Sequence, residues 1–263
     1  MTEAKKMNTY LKYGLILLGC CVLGGIIGFV SALTTEPIMA IQTTVEQLGK
    51  LIRTYLFAEL FIIFVIEIIA GEIYIRKMKQ FSAKLETAED EEADRLDYEM
   101  EKASAWGVGI LNAIAAISLV LLATGYSMEY IRLEAEVGGL SSLLGGCIVF
   151  ILIYVYSGFW SVRQVKLQQK LDPTKKGDPT STKFTEQWVE SCDEAEKEVI
   201  YRSAFKSYLM LSKWIPMMMV VTMISHLLWN TGVMAVVVVG IVWMVLNVSY
   251  LKSCVDLRKQ KLR

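Results

Sequence analysis

The sequence has one histidine, His226, only four prolines, and no cysteine pair of the C-x-x-C kind. A lone histidine leaves no basis for the familiar histidine-clustered metal sites. The five cysteines are Cys20, Cys21, Cys147, Cys192 and Cys254. Their spacing suggests neither a zinc site nor a thioredoxin-like redox motif. H-E-x-x-H, G-x-S-x-G, Walker A and glycine-rich dinucleotide signatures are also missing. No enzyme, metal or cofactor is therefore expected. Twenty-seven basic residues balance 27 acidic ones, which removes any global bias toward nucleic acid.

Apolar sequence is what the chain has in excess. Hydrophobic residues make up 54% of its 263 positions, and the mean hydropathy is +0.43. Soluble domains run at about 45–50% even with glycine counted. A membrane helix needs roughly 20 mostly apolar residues to cross a hydrocarbon core of about 30 Å. Six runs qualify, near 13–33, 56–75, 106–126, 140–161, 214–230 and 233–251. Asn230-Thr231-Gly232 supplies turn chemistry between the last two. The first run has a basic flank, and Leu17-Leu18-Gly19-Cys20 faintly resembles a lipid-attachment signal. It is longer than a usual signal-peptide core, so an uncleaved span is expected. The fold class is all-α: a polytopic membrane protein with six transmembrane helices as three helical hairpins.

Basic residues set the orientation, because Lys and Arg concentrate on the cytoplasmic side. Residues 1–12 carry three, 75–104 six, 162–213 ten and 251–263 five, or 24 of the 27. With six spans, those segments share one side. An odd number would divide them. Both ends are therefore expected in the cytoplasm of a cell-membrane protein. Trp106, Trp160, Trp214 and Trp229 lie near span ends, as interfacial anchors do.

The segments between spans have patterns of their own. Apolar residues Ile38, Ile41, Val45, Leu48 and Leu51 recur at helical spacing, which predicts a short amphipathic helix on the outer surface. Outer residues 127–139 are acidic, with Glu129, Glu134 and Glu136 against Arg132. The cytoplasmic segment 76–105 is a charged helix with an apolar stripe at Leu85, Ala93, Leu96, Met100 and Ala103. In the cytoplasmic segment 162–213, Asp172-Pro173-Thr174 and Asp178-Pro179-Thr180 mark two turns. A helix is expected from Ser181 or Thr182 onward, with the stripe Phe184, Trp188, Cys192, Ala195 and Val199. An aromatic pair one turn apart on a charged helix needs a partner surface. Either the first cytoplasmic helix of the same chain or an external protein fits. Phe184, Trp188, Asp193 and Glu194 form the candidate partner surface.

The two inner segments look related to each other. Glu92-Ala93-Asp94-Arg95 parallels Glu194-Ala195-Glu196-Lys197, and each segment runs into a span beginning at a tryptophan. Such internal repeats are common in transporters, and they also arise by duplication alone.

The stretch Gly177-Asp178-Pro179, Phe184, Trp188, Ser191-Cys192-Asp193-Glu194-Ala195-Glu196-Lys197 and Tyr201 resembles the domain of unknown function 3169 family of bacterial multi-pass membrane proteins. The similar length and helix count extend the resemblance over most of the chain. It implies a bacterial cytoplasmic-membrane protein and brings no activity with it.

Glu67 is the most conspicuous single residue. It sits mid-span in Phe64-Val65-Ile66-Glu67-Ile68-Ile69, where an ionisable side chain costs at least a few kcal/mol. Asn112 and Asn247 on other spans are its expected hydrogen-bond partners. It is either an interhelical hydrogen bond, worth about 1 kcal/mol, or a proton or cation relay. His226, beside Ser225 in the fifth run, reads as a packed residue. Two functions follow. One is a noncatalytic membrane protein whose cytoplasmic helices contact a protein partner. The other is a transporter, or the permease subunit of an ABC-type exporter working with a separate ATPase subunit.

Overall fold

The computed structural model describes residues 36–126, 131–132, 140–229 and 231–260, with isolated residues 15, 18, 19, 22 and 25. The expected span 13–33 and the acidic outer segment lie almost wholly outside the described residues. Six helices are defined: α1 Glu36–Leu85, α2 Asp90–Gly125, α3 Leu140–Leu171, α4 Phe184–Ser191, α5 Glu194–Trp229 and α6 Met234–Gln260. No strand occurs among the described residues. The protein is all-helical. Four stretches are long and apolar enough to cross a membrane: Glu91–Gly125, Leu144–Leu171, Glu194–Leu228 and Met234–Lys259.

Two expected boundaries dissolve. The predicted outer amphipathic helix and the second apolar run form one helix, α1, of 50 residues. At 1.5 Å per residue it is about 75 Å long. Nothing between Ile38 and Ala70 stops it. Gly49 is the one weak former there, and Arg53 donates from Nε to the Gly49 carbonyl at 3.0 Å. Likewise, the inner extensions are not separate helices. α1, α2, α3 and α5 each join an apolar run to its charged extension without a break.

The chain divides into two compact units, residues 47–201 and residues 1–46 with 202–263. In the first, α1 presents one buried face: Leu56, Leu60, Glu67, Gly71, Ile75, Met78 and Ser82. Steps of three, four and seven keep these residues in one stripe. Leu56 and Leu60 pack with Val149 and Ile153 of α3. Further along, Ile75 packs with Leu111 and Trp160, and Met78 with Met100 and Ala103. Numbers rise together on α1 and α3 and fall on α2. The first and third helices are therefore parallel, and the second is antiparallel to both. That is an up-down-up order of three consecutive helices.

Glycines let α1, α2 and α3 close around Trp160. A Cβ on Gly107 would lie 2.5 Å from the indole Cη2, and one on Gly71 would lie 2.9 Å from Cδ1. The indole N–H donates to the Gly71 carbonyl at 2.7 Å, so the buried ring is both packed and satisfied. Trp160 is thus a packing wedge rather than the interfacial anchor its position in the sequence suggested.

In the other unit, the part of α5 from Arg202 onward and α6 are joined through Gly232, whose φ of +87° suits glycine. Tyr208 and Tyr250 stack across the pair with ring centroids 4.1 Å apart. Pro216 is inside α5, because the helix starts at Glu194, twenty residues before the apolar run that begins near 214. None of the apolar stretch of α6 is buried. An apolar helix left largely uncovered by the other described residues is suited to lipid.

Candidate functional site

Two places gather polar groups: the α1–α3 seam around Glu67 and a groove at the charged end of unit 47–201. Glu67 is fully buried. The Ser157 hydroxyl donates to its Oε1 at 2.6 Å. The second carboxyl oxygen has no hydrogen-bond partner among the described residues. Neither expected asparagine is its hydrogen-bond partner among the described residues. Asn112 is exposed on α2. Asn247 belongs to the other unit, and its amide donates to the Trp243 carbonyl at 2.9 Å. The reason is register: Ser157, not an asparagine, is opposite Glu67 when Ile153 and Trp160 fill the seam on either side. Further along, the Tyr156 hydroxyl donates to the Ile68 carbonyl at 3.2 Å, and Arg163 is ion-paired with Glu72. Tyr156, Trp160 and Arg163 follow at four- and three-residue steps, so they read as one polar stripe in the sequence once α3 is known to face α1.

The groove is built from the chain's turns upward. In each of the two Asp-Pro-Thr sequences, the aspartate Oδ1 accepts from the threonine amide and hydroxyl two residues on, at 2.6 to 2.9 Å. These Asx turns fold residues 172–181 back on themselves. Gly177, at φ +129°, completes the reversal, and its carbonyl accepts from Gln169 at 2.8 Å. The single helix expected from Ser181 through Val199 is two helices. Cys192 is extended, and α5 begins at Glu194. Asp193 Oδ1 accepts from the Glu196 amide at 2.8 Å, and Glu196 Oε2 accepts from the Asp193 amide at 3.0 Å. That reciprocal pair is a capping box, and it restarts the chain as a new helix. The residues that look motif-like in the sequence therefore hold this corner. Asp193 is a cap, Glu196 pairs with Lys175, and the Ser191 hydroxyl accepts from the Lys176 amide at 3.0 Å.

Within that corner is a cavity of about 630 Å³. Leu85, Met100, Val165, Leu171, Phe184, Trp188, Val199 and Ile200 give it apolar walls. Phe184 and Trp188 are half-buried, with ring centroids 5.5 Å apart. Asp97, Glu101, Asp172 and Glu196 face the same cavity, against the single cation Lys175. Buried Ser104 and Gln164 close its inner end with a 2.6 Å hydrogen bond. Burial, reinforced by Glu196, Asp94 and Asp172, pushes the Asp97 carboxyl up, and Lys175 offsets part of this. Burial together with Asp97 and Glu196 does the same to Glu101. Burial works to lower Lys175, but its hydrogen bond to Glu196 and the surrounding carboxylates leave it above the usual lysine range. Burial also pushes the Cys192 thiol up, which disfavours the thiolate. Glu194 is exposed, in the first turn of α5. His226 is half-buried in α5, with no partner for Nδ1 among the described residues. No group of three or more His, Cys, Asp or Glu side chains is placed to hold a metal ion among the described residues.

The family model described as protein of unknown function DUF3169 matches residues 6–254. The chain belongs to the DUF3169 family. The match runs through both compact units and through the turns, capping box and aromatic pair just described. No curated protein matches the chain, and no solved structure does. DUF3169 membership thus agrees with the resemblance carried by residues 177–201, and the family's printed description assigns no reaction.

Proposed function

We propose that this chain is a noncatalytic bacterial membrane protein of six spans, arranged as three hairpins, with both ends in the cytoplasm. In this reading its inner-face groove receives a basic amphipathic segment of a partner protein. The groove carries the proposal. It joins an aromatic pair to four carboxylates and one lysine, a lining whose net charge is negative and whose walls are apolar. A helix with an apolar face and flanking Lys or Arg is complementary to both. The up-down-up packing of α1, α2 and α3 supports the span order, and the basic inner segments support the orientation. The aromatic pair works from inside the groove, and Asp193 acts as a cap beneath it. The capped corner is a rigid rim for that groove. The unbroken passage from spans into inner extensions favours a second reading, in which the partner is an ATPase subunit and this chain is its permease.

The full-length protein in nanodiscs of zwitterionic lipid tests the docking. It is titrated with a fluorescent basic amphipathic helix and with the charge-reversed twin of that peptide. The basic peptide is expected to bind and the reversed one not. Asp97→Asn combined with Glu101→Gln should weaken binding about tenfold, or ~1.4 kcal/mol. Equal binding of both peptides, or of neither, overturns the reading.

A further inference from the structure

Glu67 is a fully buried carboxyl group, and nothing in the proposed docking function uses it. It occupies the buried stripe of α1 between Leu60 and Gly71 and has no exposed surface. A buried carboxylate is ordinarily supported by two or three donors or by a cation. Here Ser157 is the donor, at 2.6 Å to Oε1, and Oε2 has no partner among the described residues. The groups at this level are few. α1 itself carries Glu59 and Glu72. α3 carries Cys147, Tyr154, Tyr156 and Arg163. The apolar stretch 106–125 of α2 carries no titratable side chain. Arg163, the cation of the set, is already held by both oxygens of Glu72. An unpaired anion in hydrocarbon costs far more than an unpaired hydroxyl.

We propose that Glu67 is a proton-binding site within the membrane, a neutral carboxylic acid. Its Oε1 takes the Ser157 hydroxyl, and its Oε2 bears the proton. The site takes a proton rather than a metal cation, since among the described residues Ser157 is the one hydroxyl bonded to the carboxyl and no cluster of three or more His, Cys, Asp or Glu is placed to hold a metal ion.

A neutral acid in an apolar setting can be recognised by its chemistry. An apolar carbodiimide accepts the acid proton on one nitrogen while the carboxyl oxygen bonds to its central carbon. The whole reagent is added, with no leaving group. The full-length protein in its membrane is treated at neutral pH with dicyclohexylcarbodiimide, and separately with a charged, water-soluble carbodiimide. Peptide mass spectrometry then locates the adducts. The apolar reagent should label Glu67 at least about tenfold faster than the ion-paired Glu72, which corresponds to one pH unit of proton affinity. The charged reagent should leave Glu67 unmodified. Glu67→Gln should abolish that adduct and leave the thermal midpoint unchanged, because the amide oxygen still accepts from Ser157. Ser157→Ala, which takes away the donor that favours the anion, should label at least as fast as the unaltered protein and serves if the glutamine variant does not fold. The proposal is overturned if Glu67 stays unlabelled, if it labels no faster than Glu72, or if Ser157→Ala slows labelling.

Discussion

Trp160 shows how much of this protein rests on single side chains. Its ring lies between Gly71 and Gly107, both too close for any Cβ, and its N–H is satisfied by the Gly71 carbonyl. Adding one methyl at Gly107 must displace the ring or separate the helices. Gly107→Ala is expected to destabilise the protein by about 1–3 kcal/mol, the usual cost of overpacking. Thermal unfolding in detergent reads it. Gly109, where a Cβ meets nothing within 4 Å, is the control and should tolerate alanine. At this scale the sequence was partly legible. Glu67 stood out because a charge amid apolar residues is visible without a structure. Ser157 did not, because a hydroxyl in a span is ordinary, and only the register of α3 brings it opposite Glu67. Trp160 was misread for a related reason. A tryptophan near a span end looks the same whether it points to the interface or into the core.

Helices are where hydrophobic pattern informs most and boundaries inform least. Apolar runs and their charged extensions were plain, and the structure makes each pair one continuous helix. The break at Cys192-Asp193 was hidden for the opposite reason. The stripe Phe184, Trp188, Cys192, Ala195 and Val199 keeps helical spacing straight through it, while the capping box that ends it needs only Asp193 and Glu196. Asp193→Ala removes the acceptor for the Glu196 amide and is expected to cost ~1 kcal/mol of local stability. Hydrogen exchange should show faster amide exchange over 194–198 in this variant, with the apolar part of α5 unchanged. Uniform exchange along α5 would mean the cap does not hold that end. The turns before it were better signalled. Both Asp-Pro-Thr sequences form the Asx turns their composition suggested.

For the whole molecule, the proposed span number and sidedness rest on charge counting rather than on packing. Four helices have the length and composition to cross a membrane, and the proposed six add α1 and the first apolar run. Single cysteines introduced on a cysteine-free background distinguish the possibilities. A cysteine at Glu134 should react with an impermeant maleimide added outside intact cells. Cysteines at Glu91 and at Lys259 should react only after the membrane is opened. Labelling of Lys259→Cys from outside would indicate an odd number of crossings. DUF3169 membership covers residues of both compact units.

The unbroken run of α1 has a mechanical meaning. A helix about 75 Å long is more than twice as long as a hydrocarbon core of about 30 Å is thick. Within unit 47–201 the same uninterrupted helix carries Leu56 and Leu60 in the seam with α3 and Leu85 in the wall of the groove. A helix hydrogen-bonded throughout resists bending, so a shift of α1 at that seam reaches the groove wall as a displacement, with no chemistry in between.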